Sequence, residues 1–153
     1  RRLARRAVMK HLVVVLALAS CGKKASSLVE NKVGDSGMLI DLPAGATVKA
    51  ETKTMFLIDR GSEPMGLIND YGLPEWPDAS WVKQCDLGDP QPFETSNMRG
   101  VTCGTNGKFR TLAYVRIHNV VAIKNLQSCN IDSSDADEGK EICMTLSGPR
   151  EYR

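Results

Sequence analysis

From Lys108 to Ile117 the chain alternates with a period of two. Phe109, Thr111, Ala113, Val115 and Ile117 fall on one side, and Arg110, Leu112, Tyr114, Arg116 and His118 on the other. In a pleated strand successive side chains point to opposite faces, and a one-residue slip would exchange the two sets. The run therefore demands a sheet that buries the Phe109 side. Asn106-Gly107 precedes it, and both residues tolerate the positive φ of a two-residue hairpin turn. Arg99 to Cys103 supplies the strand before that turn. His118-Asn119 turns the chain into an apolar run from Val120 to Leu126, and Cys129 ends the sheet. Three such runs in succession predict an antiparallel meander.

The first half reads as shorter strands. Met38 to Pro43 is stopped by Pro43 and Ala44-Gly45, Thr47 to Thr52 alternates as an exposed edge strand, and Met55–Ile58 and Met65–Ile68 are short apolar runs closed by turn residues. Asp78 is placed to cap a short helix through Cys85. Asp86 to Asn97, with Gly88, Pro90 and Pro92, reads as a loop. Ser133 or Ser134 is the expected cap of a C-terminal helix with Asp135, Asp137 and Glu138 in its first turn. That helix makes apolar contacts through Ile142, Met144 and Leu146 and stops at Gly148-Pro149. The fold class is α+β: an antiparallel sheet of about five to seven short strands, a meander in its second half, a short middle helix and a C-terminal helix.

The N-terminal end has a different character. Arg1, Arg2, Arg5, Arg6 and Lys10 precede the apolar stretch Leu12 to Ala19, with no acidic residue before Glu30. Eight apolar residues suit a signal-peptide core and fall far short of the ~20 that a spanning helix needs. Leu18-Ala19-Ser20-Cys21 then resembles the lipobox of bacterial lipoproteins, a likeness confined to the first two dozen residues. It implies a signal peptide over 1–20, cleavage before Cys21, and a diacylglyceryl group on the Cys21 thiol, often with a further acyl chain on the new amino terminus. It thus implies a partner, the lipid bilayer, and a site in the bacterial cell envelope. Gly22, where an Asp would favour inner-membrane retention in that family, leans towards the outer membrane, with the domain facing the periplasm or the cell surface. Arg5-Arg6-Ala7-Val8-Met9-Lys10 also looks like a twin-arginine export motif. The alternative is a start at Met9 with ordinary unfolded export.

Removing residues 1–20 leaves 133 residues, enough for one domain. Five of the 20 basic residues go with the leader, leaving 15 against 18 acidic ones, a balance of −3. No basic cluster remains to grip nucleic acid. Residues 21–37, with Gly22-Lys23-Lys24-Ala25-Ser26-Ser27, read as a flexible tether, and 38–153 as the domain. Within the tether, Gly34-Asp35-Ser36-Gly37 looks like the nucleophile segment of chymotrypsin-like proteases. That family needs its histidine and aspartate earlier in the chain, so the four residues read as a turn.

With Cys21 acylated, Cys85, Cys103, Cys129 and Cys143 remain. An even number in an oxidising compartment predicts two disulfides. Of the three pairings, Cys85–Cys103 and Cys129–Cys143 close the shortest loops, and the second would pin the C-terminal helix to the sheet. A four-cysteine zinc site lacks any C-x-x-C pair.

The search for chemistry returns little. His118 is the single histidine after the leader, which counts against Ser–His–Asp triads and multi-histidine metal centres. No phosphate-binding glycine loop or H-E-x-x-H is present. The acidic stretch Asp132 to Glu141 lacks the spacing of a calcium loop, so no metal and no cofactor are expected. Trp76 and Trp81 are the first choice for a ligand surface, against the alternative that they lid a small sheet. The expectation is a non-enzymatic envelope lipoprotein that binds an envelope protein or a small ligand. The alternative is a structural or assembly scaffold of an envelope complex, and the remote one a carboxylate-dependent hydrolase.

Overall fold

The computed structural model describes residues 27–73, 75–117 and 126–148. Two antiparallel meanders lie side by side in it. The first runs β3 (Ala46–Ala50), β4 (Met55–Arg60) and β5 (Glu63–Leu73) after a hairpin of β1 (Leu28–Lys32) and β2 (Leu39–Pro43). The second runs β6 (Gln91–Glu94), β7 (Met98–Thr105), β8 (Lys108–Arg116) and β9 (Leu126–Ser133), with helix α1 (Glu138–Met144) last. Antiparallel pairing of β5 with β9 fuses them into a sheet of order β3-β4-β5-β9-β8-β7-β6, while β1 and β2 pair separately. The molecule is thus largely antiparallel β.

The period-two expectation for β8 holds. Thr111, Ala113, Val115 and Ile117 are buried, and Arg110, Leu112, Tyr114 and Arg116 lie half-buried on the other face. Asn106 (φ 54°) and Gly107 (φ 74°) turn β7 into β8, as the dipeptide predicts. The inner face packs against α1 and the β1–β2 hairpin through Val33, Met38, Ile40, Leu42, Ile142, Cys143 and Leu146. These meet Phe56, Ile58, Ile68, Met98, Val115 and Ile131 of the sheet. Ser147 exchanges backbone hydrogen bonds with Leu39 at 2.8 and 2.9 Å, tying the residues after α1 to β2.

Both disulfides join the partners expected: Cys85–Cys103 and Cys129–Cys143, each with Cα atoms 5.8 Å apart. The second links the middle of β9 to α1. Gly139 lets the helix settle closely there. A Cβ at that position would run into the Thr111 hydroxyl and stand 2.8 Å from Thr111 Cβ. Beneath it Thr102 and Thr111 share a hydrogen bond of 3.1 Å, so neither buried hydroxyl is left without a partner.

Several sequence expectations need correction. The tether does not run to Gly37: Leu28–Lys32 forms β1, and Val33 is fully buried. Its polar side chains hide the strand from a hydropathy reading, but its backbone pairs along the whole of β2. Gly34 to Gly37 is indeed a turn, between β1 and β2. Asp86 to Asn97 is not all loop, because Gln91–Glu94 pairs with β7 as an edge strand, where Pro92 has no need of an N–H. Cys129 lies in mid-strand rather than at the end of the sheet. Of the run expected over 120–126, only Leu126 is among the described residues, and it opens β9. The middle helix is a six-residue 3-10 segment, Ala79–Gln84, capped by Asp78, whose carboxylate accepts from the Ser80 N–H at 2.9 Å.

The last helix also starts later and ends earlier than expected. Ser133 is still strand, and its hydroxyl donates to the Asp135 carbonyl instead of capping. Asp137 is the N-cap, without a side-chain cap bond, and the helix ends at Met144, short of Gly148. Ile142 and Leu146 are buried as expected, but Met144 is 42 % exposed.

Two substitutions test this packing. Gly139→Ala gains at most ~1 kcal/mol of helix propensity. Overpacking against Thr111 costs about 1–3 kcal/mol, so urea titration should show a net loss of stability. Replacing Cys129 and Cys143 together by Ala should lower stability by ~3 kcal/mol, the loop-closure value for a loop of this size. Equal urea midpoints with and without the bridge would contradict it.

Candidate functional site: a clamped cleft on the outer face of the sheet

The sheet's second face is covered on one side only. The 3-10 segment lies across β7 and β8 and sets Trp81, 9 % exposed, against Val101 and Cys103, with Leu112 and Tyr114 packed alongside. Trp81 and Tyr114 meet edge to face, with ring centroids 5.8 Å apart. The Cys85–Cys103 bridge holds the segment in place covalently. The Arg110 guanidinium adds a second tie. It donates through Nε and Nη2 to both Asp132 carboxylate oxygens (2.7 and 3.0 Å) and through Nη1 to Asp86 (3.0 Å), the residue after Cys85. The two carboxylates hold its proton more firmly than usual, the Asp132 hydrogen bond most of all.

Beside this cover the strands diverge. β5 shifts register against β9 between Asn69 and Leu73, a local irregularity of the kind that re-aims side chains. A cleft of about 200 Å³ opens there under Trp81. Its polar lining comprises Asn69 of β5, Ser128 and Asn130 of β9, and Gln84 of the 3-10 segment. Leu112, Leu126, Leu73, Trp81 and Tyr114 complete the lining. Ser128 stands directly between Asn69 and Tyr114 in the ladder. Asn69 Oδ1 and Ser128 Oγ are both shut from solvent without a hydrogen-bond partner. Such atoms cost about 1–3 kcal/mol each. Burial pushes the Tyr114 phenol up from its ordinary pKa, so it stays a neutral donor at physiological pH.

The two tryptophans do not make one exposed aromatic platform. Trp81 is a lid and one wall of the cleft. Trp76 is half-buried, with the Arg99 and Arg116 guanidiniums each 4.8 Å from its ring centroid, a cation–π arrangement. A larger groove of about 670 Å³ lies at the end of the sheet, among Arg60, Glu63, Lys108, Arg110, Asp132 and Glu138. Within it Arg110 pairs with Asp132 (2.7 Å) and Arg60 with Glu138 (3.7 Å). Among the described residues no buried side-chain atom without a hydrogen-bond partner lines that groove. Asp132 and Asp135 of the acidic stretch are likewise engaged, by Arg110 and by the Asp137 N–H at 2.9 Å. Among the described residues no three His, Cys, Asp or Glu side chains gather as a metal set. Cys21 and His118 lie outside the described residues.

Sequence reasoning found Trp81 but missed Asn69, Gln84, Ser128 and Asn130. The available signal was the every-second-residue polarity of Ser128, Asn130 and Asp132, which marks the outer face once β9 is read as a strand.

Asp70, next to Asn69, offers a pH test. Burial raises its carboxyl pKa, partly offset by a hydrogen bond from Gln127. An acid whose folded pKa is raised favours the native state below its unfolded pKa, and that contribution is lost as pH rises through the folded value. Asp70→Asn should therefore raise the Tm at pH 7, with the difference from the parent shrinking as pH falls below about 4. Thermal melts across pH 3–8 check the sign. Comparison with protein-family models, curated proteins and solved structures returns no match for this chain.

Proposed function

We propose that the chain is a membrane-anchored lipoprotein of the bacterial cell envelope whose folded domain is a non-enzymatic binding module. We read that domain as α+β: a sheet backed on its inner face by the hairpin and one helix, with a short middle helix pinned across the outer face. The anchor rests on the sequence Leu18-Ala19-Ser20-Cys21 after an eight-residue apolar stretch. One acyl chain binds membranes marginally, whereas two or three, at ~0.8 kcal/mol per buried methylene, hold a protein in the bilayer. The Gly22 position favours the outer membrane.

The observation that carries the binding role is the orphaned pair Asn69 Oδ1 and Ser128 Oγ beside a cleft whose cover is fixed by a disulfide. A purely structural surface gains nothing from unsatisfied buried oxygens, while a binding site gains a partner for them when its ligand arrives.

Cys21→Ala tests the anchor. The parent should sediment with membranes and leave them only with detergent, and the variant should appear in the soluble fraction. A variant that stays with the membranes would overturn the anchor.

A further inference from the structure

We propose that the outer-face cleft takes one neutral sugar ring, a single pyranose unit of a glycan; the inference rests on the reading of this domain as a binding module. Three properties of the lining lead there. The first is charge: among the described residues the cleft is bordered by amide, hydroxyl and apolar groups and by no ionisable acid or base other than the Tyr114 phenol. An ionic ligand would lose hydration there without finding a counter-charge.

The second is the mixture of polar and apolar groups. Asn69, Gln84, Ser128 and Asn130 each offer both a donor and an acceptor. A sugar hydroxyl also donates and accepts, so it can meet any of them in either sense. Trp81 and the leucines are interspersed with them, Leu73 on the strand of Asn69 and Leu126 on that of Ser128, and they suit the C–H surface of a ring. A ligand that carries both hydroxyls and C–H surface matches this mixture, and a wholly apolar one does not.

The third is size. About 200 Å³ lies below the ~300–1,000 Å³ of ordinary ligand pockets, and it equals some seven waters at ~30 Å³ each. That is room for one ring, with the cleft's open side leaving the remainder of a chain in solvent. The orphaned oxygens supply the drive. Both belong to residues that line the cleft, and a sugar hydroxyl that donates to either would satisfy it.

N-acetylglucosamine serves as the probe, with glucuronic acid as its charged counterpart and N-acetylglycinamide as a neutral amide without a ring. The full chain in detergent is titrated by tryptophan fluorescence, in a Trp76→Phe background so that Trp81 is the sole reporter. Saturation-transfer NMR provides the second readout. A Kd on the order of 1 mM is expected, in keeping with the yield of a ligand of that size. Ser128→Ala and Gln84→Ala should each weaken binding about tenfold, one hydrogen bond's worth. The Tm of Ser128→Ala should be unchanged or higher, since an orphaned hydroxyl is removed. Gln84 is exposed, so its variant keeps the test valid if the Ser128 change disturbs the fold.

Three results would overturn the proposal: no saturable binding of the sugar, equal binding of glucuronic acid, or binding that both variants leave intact. Saturable binding of the amide alone would overturn the sugar class while leaving a binding module in place. Membrane release is scored separately on Cys21→Ala, so failure of the anchor and failure of the sugar site give different patterns.

Discussion

Pairing of β5 with β9 is the contact on which the remaining architecture depends. Without it the protein would be two small meanders, each with an apolar face too narrow to bury alone. With it, Ile68 comes opposite Cys129 and Gly66 opposite Ile131, and a continuous inner face forms. Helix α1 then has something to cover. The Cys129–Cys143 bridge starts from a residue at this seam, so the strand that joins the halves also carries the covalent tie to their cover.

The same seam generates the outer-face cleft. Asn69 and Ser128 face each other because β5 and β9 are neighbours, and the register shift beyond Asn69 opens the space between them. Trp81 reaches it from a segment whose C-terminal end is held twice, by Cys85–Cys103 and by the Asp86–Arg110–Asp132 cluster. Arg110 is about one-third exposed, so solvent and salt weaken that ion pair, and the disulfide is the firmer of the two ties. Rigidity on both walls lets a small cavity persist rather than collapse.

What the sequence discloses follows from how each element is stabilised. β8 is legible because one face is buried from Thr111 onward, with Phe109 half-buried before it, which writes an alternation into the residues. β9 is not: Leu126 faces outward under Trp81 while Gln127 is buried inward, so its first two residues invert the usual code. β1 and β6 are held by backbone pairing, leaving Leu28–Lys32 free to look like a linker and Gln91–Glu94 to look like a loop. The disulfides were readable because each closes a short loop of 18 or 14 positions. The cleft was not, since its walls come from β5, the 3-10 segment, β8 and β9, and only the long-range pairing shows that they meet.

Joining Gly66 to Ile131 links positions 65 apart, so the sheet cannot close until the final strand has been synthesised and released. Until then β5 and β8 each present a bare row of peptide groups to any neighbouring chain. Slow, non-local strand pairing of this sort prolongs that exposure. A copy truncated before residue 126 would keep both bare edges permanently, and it would be a template for clumping rather than a smaller version of the protein.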